Sequence, residues 1–237
     1  MNSKNKNKLE RVSTWYKSTK GLNSFMIYCV YLEFRKFIEE PILEIGPADG
    51  GMTSLIFDNL RPKTINIVEA SEKYCQLLSK KFKKAAVFNS YLEDFKATKK
   101  YKTIIASHLL EHVENVDKFL QTAYKLLDND GKFLVSVPNG LSMHRLLGVE
   151  MGLLETPTQL NDQDKKIGHF RVYDPKKLEE DLKKNGFKIE KISTSFIKFL
   201  SNAQIEKFIP EKDWIYFYSL SKNFPQNGAD IFAICNK

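Results

Sequence analysis

Short apolar runs recur along the chain, and most stretches between them carry apolar residues at helical spacing. Short apolar runs bounded by turn residues are typical of buried β-strands. They predict strands at residues 42–45, 64–68, 86–88, 102–106, 132–137, 187–193 and 231–235. Apolar residues three and four apart predict helices at residues 9–38, 53–60, 72–84, 116–127 and 175–185. Ser71 is expected to be the N-cap of the third helix, and Gly186 the C-cap of the last.

Strands that alternate with helices predict right-handed crossovers and a mostly parallel sheet with helices on both faces. The expected fold class is therefore α/β, doubly wound around seven strands. Ligands of such sheets bind at the carboxyl ends of the strands. That edge should collect Gly46, Glu69, the 89–95 loop, His108 and Pro138–Asn139.

One long mixed segment, residues 140–170, interrupts the alternation. Insertions of this length in compact domains usually serve as lids or binding loops, so we expect a lid on the substrate side. Residues 1–38 should form an N-terminal helical cap, whose first eight residues are expected to be frayed. The sequence Asn129-Asp-Gly131 predicts a tight turn. Without a repeat or a Pro-rich linker, residues 1–237 are predicted to be a single domain.

Composition and charge narrow the function classes. The chain carries a net charge of +8, but its lysines are mixed with acids, and the short lysine runs do not alternate with aromatic residues. Such a pattern indicates a solvated surface, so we expect no nucleic-acid partner. No apolar run is long enough to span a membrane, and the polar N-terminus does not resemble a secretory signal. Three scattered cysteines suit reduced thiols in a cytoplasm. The sequence leaves a homodimer open.

The loop after the first strand is the most informative motif. Gly46, Ala48 and Gly50 lie two residues apart, which suits a strand-to-helix turn that passes close to a ligand. Glu69 ends the second strand, where an acid binds the ribose hydroxyls in nucleotide-binding α/β folds. The loop lacks the third glycine of the dinucleotide fingerprint and the Lys-Ser/Thr pair of a P-loop. A cofactor that contains a nucleoside is therefore predicted.

The motif E-x-G-x-A-x-G at residues 44–50 resembles motif I of class I S-adenosylmethionine-dependent methyltransferases. Residues 101–113, the block from 129–131 to the V-P-N of 137–139, and the H-x-R-x-Y of 169–173 are similar to blocks of a branch that includes ubiquinone-pathway O-methyltransferases. These blocks occur in the family order between about residues 22 and 200. Residues 142–148 and 198–204 further resemble a bacterial subgroup associated with sugar and polysaccharide pathways.

This resemblance implies a Rossmann-like sheet, the cofactor S-adenosyl-L-methionine and the product S-adenosyl-L-homocysteine. Glu44 is expected near the methionine ammonium group, Glu69 at the ribose, Tyr91 and Leu92 beside the adenine, and His108 near the sulfonium. The full set of expected cofactor contacts is Glu44, Gly46, Pro47, Ala48, Gly50, Glu69, Ala70, Tyr91, Leu92, Glu93, Ser107 and His108.

Methyl transfer to a hydroxyl requires removal of its proton, so a general base is expected at this edge. His108 is the first candidate and His169 the second, although each could instead position a ligand. His169, Arg171 and Tyr173 alternate and could face one side of an extended segment. With His144 and Arg145 they make up the expected substrate-binding set. No His and carboxylate pair has convincing ligand spacing, so no required metal is predicted.

The predicted function is methyl transfer from S-adenosylmethionine to a hydroxyl or amine of a small molecule, such as a sugar or nucleotide sugar of a surface-polysaccharide pathway. One alternative is a methyltransferase-like binding subunit without catalysis. Another is an NAD-dependent reductase or epimerase, which shares the turn and the acid. That class usually carries a Tyr-x-x-x-Lys pair in a helix, and Tyr74 and Tyr124, in predicted helices, lack a lysine at that spacing.

Overall fold

The computed structural model describes residues 10–237. Its strands are β1 (Ile42–Ile45), β2 (Ile65–Glu69), β3 (Ala85–Asn89), β4 (Tyr101–Ser107), β5 (Leu127–Pro138), β6 (Lys188–Ser195) and β7 (Asp230–Asn236). Its α-helices are α1 (Gly21–Phe34), α2 (Gly51–Leu60), α3 (Glu72–Lys81), α4 (Val116–Leu126), α5 (Met143–Glu150), α6 (Asp162–Ile167), α7 (Pro175–Lys184), α8 (Asn202–Phe208) and α9 (Trp214–Ser221). Short 3₁₀ turns occupy Arg35–Phe37, Leu92–Asp94, Leu110–His112 and Glu211–Asp213.

Within the described residues, seven strands form one sheet in the order β3-β2-β1-β4-β5-β7-β6. The pairs among the first five strands are parallel, and β7 runs antiparallel to both β5 and β6. The order reverses between β1 and β4, and such a switch point opens a crevice at the carboxyl ends of the strands. Because β7 is antiparallel, its first residue, Asp230, reaches that same edge.

Apolar residues cover both faces of the sheet. One buried cluster packs α4, α7 and the β4 and β5 side chains against one face, with Tyr101, Phe119 and Phe133 among its largest members. A second cluster joins α1, α2 and α3 to the other face. Helices on both faces explain why β1 is buried at every position. The prediction of a doubly wound, mostly parallel α/β sheet is confirmed.

Local sequence signals set the helix boundaries. The Ser71 hydroxyl accepts a hydrogen bond from the Tyr74 backbone N–H and starts α3 as predicted. Asp174 caps α7 in the same way, with Pro175 at the first helical position. Gly186 adopts a left-handed φ of 92° just after α7, where an added Cβ would lie 3.2 Å from the Tyr124 ring. These caps fix where the helices begin and end, and so help to position the neighbouring strand ends that carry the site residues.

Two sequence predictions differ from the structure. The helix predicted at 9–38 is interrupted: residues 10–12 are helical, residues 13–20 are not, and α1 begins at Gly21. In the interruption, Ser18 and Thr19 are held by the Asp49 carboxylate. The tight turn predicted at residues 129–131 lies inside β5, where the pairing register with β4 shifts between Tyr101 and Thr103. The irregularity accommodates the extra residues without ending the strand. The fraying predicted for residues 1–8 lies outside the described residues.

The long segment after β5 contains α5 and α6. The Asn161 side chain and Asp164 form a reciprocal capping box at the start of α6. Gly140 pairs its backbone with Tyr173, so the two ends of this segment lie side by side at the edge of the sheet. In residues 10–237, every helix is too short or too polar to cross a membrane.

Candidate functional site

A large cleft of about 1610 Å³ lies at the carboxyl ends of the parallel strands. Its lining includes the loop between β1 and α2, the end of β2, the 90–94 loop, the end of β4 and the start of β7. Residues of α5, α6 and the segment between β6 and α8 form its other wall. The cleft therefore joins the predicted cofactor loop to the predicted insertion.

The loop after β1 has a strained backbone. Gly46, Ala48 and Gly50 all adopt left-handed φ values, of 61°, 53° and 84°. A Cβ on Gly46 would lie 2.7 Å from Leu109 Cδ1, so a larger residue there would have to displace that side chain and adopt a left-handed backbone. Ala48 is not glycine, and a left-handed alanine costs free energy that is commonly stored at functional sites. The loop thereby presents its backbone, with Pro47, to the cleft.

The Glu69 carboxylate fixes this loop from β2. It accepts hydrogen bonds from the backbone N–H of Ala48 (3.2 Å) and of Ser71 (2.8 Å). Burial raises the pKa of Glu69 to about 7, although these N–H donors favour the ionised form. Ala70 follows directly at the cleft wall. A buried carboxylate at this strand end is suited to accept hydrogen bonds from a vicinal diol.

Glu44 is the second buried acid of the cleft. The Thr53 hydroxyl donates to its Oε2 at 2.7 Å, whereas Oε1 is buried without a hydrogen-bond partner among residues 10–237. Burial raises the pKa of Glu44 to about 7. Buried polar atoms are nearly always paired, so the unused oxygen suits a cationic ligand group such as an ammonium.

The chain before α1 forms an outer wall of the cleft, with Val12 and Tyr16 among the lining residues. Asp49 of the β1–α2 loop holds this segment. Its carboxylate accepts hydrogen bonds from the Ser18 N–H at 3.0 Å and the Thr19 hydroxyl at 2.8 Å. The segment before α1 therefore attaches directly to the β1–α2 loop, a contact that the sequence analysis did not anticipate.

On the other side of Glu69, the 90–94 loop lines the cleft with Tyr91, Leu92 and Glu93. Leu92 is buried in the core, and the Tyr91 hydroxyl is buried without a hydrogen-bond partner in residues 10–237. An apolar side chain beside exposed backbone groups suits a flat aromatic base.

His108 follows β4 with a left-handed φ of 52° and projects into the cleft. Its Nε2 lies 3.1 Å from Asp230 Oδ1, and its Nδ1 lies 3.2 Å from the Ser107 hydroxyl. Burial alone would lower the pKa of His108, but the charge and hydrogen bond of Asp230, with Glu111, raise it to about 9. His108 is therefore an imidazolium paired with a buried carboxylate at neutral pH.

The insertion contributes a second polar group. Arg145 of α5 is buried, and its guanidinium binds Asp164 (3.2 Å) and the carbonyl oxygens of Pro157 and Gln159. His144 beside it has a buried Nδ1 without a hydrogen-bond partner among the described residues. Burial, together with Lys198 and Arg145, lowers the pKa of His144 to about 3, so this imidazole is neutral.

Three of the predicted substrate-binding residues make structural contacts within the protein; Arg145 and Arg171 also line the cleft, whereas Tyr173 is not among its lining residues. Arg145 holds the insertion together, as described. The Arg171 guanidinium binds the backbone carbonyls of Leu110, Val113 and Glu114. Tyr173 is fully buried, with its hydroxyl 3.3 Å from Asp181 Oδ2. Of the alternating residues 169, 171 and 173, the first two line the cleft, and the third is buried where its backbone pairs with Gly140.

His169 does face the cleft, beside Glu111 and His112. One ligand atom from each of these three residues lies within 4.8 Å of the others. His169 Nδ1 lies 3.1 Å from Asp164 Oδ1, which orients the ring, and Glu111 Oε2 is buried without a hydrogen-bond partner in residues 10–237. Two imidazoles and a carboxylate are donors suited to a divalent transition-metal ion. The prediction of no required metal rested on spacing along the chain, which does not report residues brought together by the fold, and it stays a prediction.

Sequence reasoning also missed Asp230, Lys198 and Asp49. Asp230 had a signal, because an acid at the first position of a buried strand must be paired or functional. Its place at the cleft follows from the antiparallel direction of β7, which the apolar pattern alone did not give.

Comparison with known proteins agrees with this geometry. The methyltransferase domain family matches residues 4–192. A ubiquinone biosynthesis O-methyltransferase of Rickettsia bellii is 24% identical over an alignment of 246 positions, gaps included. The alignment covers 94% of this chain and 98% of that protein.

Solved structures share the fold. One is a possible histamine N-methyltransferase from Thermotoga maritima, with a TM-score of 0.67, 16% identity, and coverage of 98% of this chain and 99% of that one. Another is the N-methyltransferase NodS from Bradyrhizobium japonicum with S-adenosyl-L-homocysteine, with a TM-score of 0.62, 11% identity and coverage of 98% of each chain. The family match covers most of the chain, and the chain therefore belongs to the methyltransferase domain family as a class I S-adenosylmethionine-dependent methyltransferase.

Proposed function

We propose that this methyltransferase transfers the methyl group of S-adenosyl-L-methionine to a hydroxyl or amine of a small molecule. One observation carries the proposal: the cleft that holds Glu69 and Glu44 continues without interruption to His108, His144 and His169. A donor at the first two residues would then face an acceptor at the histidines. The sulfonium already activates the methyl group, so alignment of donor and acceptor is the main task of the protein.

The donor half of the cleft suits the three parts of the cofactor. Glu69 would accept hydrogen bonds from the ribose hydroxyls, and Glu44 Oε1 would face the ammonium group. Leu92 and Tyr91 would flank the adenine, with the Glu93 N–H at its edge. The backbone of the 46–50 loop would approach the methionine portion. The chemistry supplied by the bound cofactor is an electrophilic methyl group on sulfur.

The acceptor half is polar. His108 is the first candidate for the base that accepts the proton of an acceptor hydroxyl, and Asp230 would stabilise the resulting imidazolium. His169 is the second candidate. Because the pKa of His108 is about 9, turnover on a hydroxyl should rise with pH toward that value. The Rickettsia relative is an O-methyltransferase by name, which favours a hydroxyl acceptor for this chain too.

The proposed acceptor class is a sugar or nucleotide sugar. The unpaired polar atoms of Asp230 and His144 support it, because a polyhydroxyl ligand can satisfy several such atoms at once. We expect the chain to work in the cytoplasm, where S-adenosylmethionine is available, and a homodimer remains compatible with the proposal.

The test is transfer of a radiolabelled methyl group from S-adenosylmethionine to a panel of acceptors: a nucleotide sugar, a free sugar, a catechol and a primary amine. We expect labelled product with the nucleotide sugar or the sugar, carrying an O-methyl group. Labelled product from the catechol or the amine alone would support methyl transfer but would overturn the proposal that the acceptor is a sugar. Calorimetry with S-adenosylmethionine and NAD on the same sample should show binding of the first only, and binding of NAD would contradict the donor.

A further inference from the structure

Lys198 is a buried cation at the acceptor end of the cleft. It follows β6, in the segment that leads to α8, and only 6% of its surface is exposed. Lysine is almost never buried to this extent without a partner. Its Nζ donates a hydrogen bond to the Asn202 side chain, and the residue lines the cleft.

No carboxylate within residues 10–237 forms an ion pair with Lys198 at 4.0 Å or less. The contrast with Arg145 is informative, since these two are the buried basic side chains of the described chain. Arg145 has Asp164 at 3.2 Å and two backbone carbonyls. Lys198 has one neutral oxygen. Burial lowers its pKa to about 8, although the charge of Asp230 acts in the opposite direction.

The carboxylates of the acceptor wall contact other basic groups rather than Lys198. Asp230 raises the pKa of Lys198, but its Oδ1 pairs with His108 at 3.1 Å, and its Oδ2 is buried without a hydrogen-bond partner among residues 10–237. Asp164 pairs with Arg145 and His169. Among the described residues, Lys198 is thus left without a carboxylate at ion-pair distance. A buried charge that the protein leaves uncompensated is costly unless a ligand completes it.

A neutral imidazole stands beside this charge. The Nδ1 atom of His144 is buried without a hydrogen-bond partner among residues 10–237, and Lys198 is among the groups that keep its ring uncharged. The Asn202 amide donates one hydrogen bond to Asn23 Oδ1 at 2.8 Å, which leaves its second N–H as a donor. A lysine ammonium, an imidazole N–H and this amide N–H can together bind an oxyanion, since all three types of group can donate hydrogen bonds.

We propose that Lys198, with His144 and Asn202, binds an anionic group of the methyl acceptor, either a carboxylate or a phosphate. The inference rests on the proposed function and narrows its substrate class to acidic small molecules, such as a uronic acid or a nucleotide sugar. The anion would complete the ion pair that the protein omits.

The experiment is an NMR titration of full-length protein with ¹³C-labelled lysine, free and loaded with S-adenosyl-L-homocysteine, using inorganic phosphate and acetate as probes. The Lys198 Cε signal is assigned by its loss in Lys198→Met. We expect saturating phosphate or acetate to raise the Lys198 pKa by at least one unit, and the stronger of the two identifies the anion class.

The matched control is Lys191→Met, which removes a lysine that Glu33 already pairs at 2.8 Å. We expect Lys198→Met to weaken binding of the effective anion at least tenfold, Lys198→Arg to retain it, and Lys191→Met to leave it unchanged. A Lys198 pKa that neither anion moves would overturn the inference, and this titration is done on the unaltered protein, with Lys198→Met used only to assign the signal. Failure of the unaltered protein to bind S-adenosyl-L-homocysteine would instead count against the proposed function.

Discussion

Replacing Glu69 with alanine tests the donor end of the cleft. The substitution removes the carboxylate that would accept hydrogen bonds from both ribose hydroxyls. It also leaves the N–H groups of Ala48 and Ser71 without their acceptor. A hydrogen bond to a charged group contributes about 1.5–3 kcal/mol, and water replaces part of what is lost. We therefore expect binding to weaken by about 1–3 kcal/mol, or roughly 5- to 150-fold in Kd.

Isothermal titration calorimetry with S-adenosyl-L-homocysteine measures this effect directly. Glu69→Gln should lose most of the affinity while keeping a carbonyl oxygen for the Ser71 N–H, which separates ribose recognition from damage to the loop. Glu72→Gln is the matched control, because it removes an exposed carboxylate three residues away. An affinity of Glu69→Ala within twofold of the unaltered protein would refute the role of Glu69 at the ribose.

Three further predictions concern the rest of the cleft. The pKa of His108 is about 9 in the folded protein against 6.5 in the unfolded chain, so its pair with Asp230 stabilises the fold fully below pH 6.5, and this stabilisation is lost as pH rises through 9. Urea unfolding at a series of pH values should show a loss of up to about 3 kcal/mol. Asp230→Asn should remove most of this pH dependence. Gly46→Ala should destabilise the protein by about 1–3 kcal/mol in urea and weaken cofactor binding, because the backbone φ is left-handed and the added Cβ would meet Leu109. Unchanged cofactor binding would contradict a close approach of the Gly46 backbone to the cofactor. Tyr173→Phe should lower stability by about 1 kcal/mol and leave the KM for the acceptor unchanged, since the hydroxyl contacts Asp181 and not the cleft. A raised KM would instead show that Tyr173 contributes to acceptor binding.

The sheet and the cofactor loop were predictable because their signals are local. Apolar runs fix strands that are buried on both faces, and Ser71 and Gly186 satisfy helix ends with their own atoms. The spacing of Gly46, Ala48 and Gly50 indicates left-handed backbone positions, which a strand-to-helix turn of this kind requires.

The acceptor end was less predictable because its contacts join distant parts of the chain. Asp230 reaches His108 across 122 positions only because β7 is antiparallel. Arg171 and Tyr173 have polar side chains that suit a ligand as well as a backbone carbonyl or a buried acid, and only packing decides between them. The same holds for Asp49, whose role depends on where the chain before α1 lies.

The most direct measurement is a crystal structure of the full chain with S-adenosyl-L-homocysteine. The account predicts both ribose hydroxyls within hydrogen-bond distance of the Glu69 carboxylate, the adenine against Leu92, and the sulfur directed toward His108. A nucleoside bound elsewhere, or one in this cleft whose ribose does not contact Glu69, would contradict it.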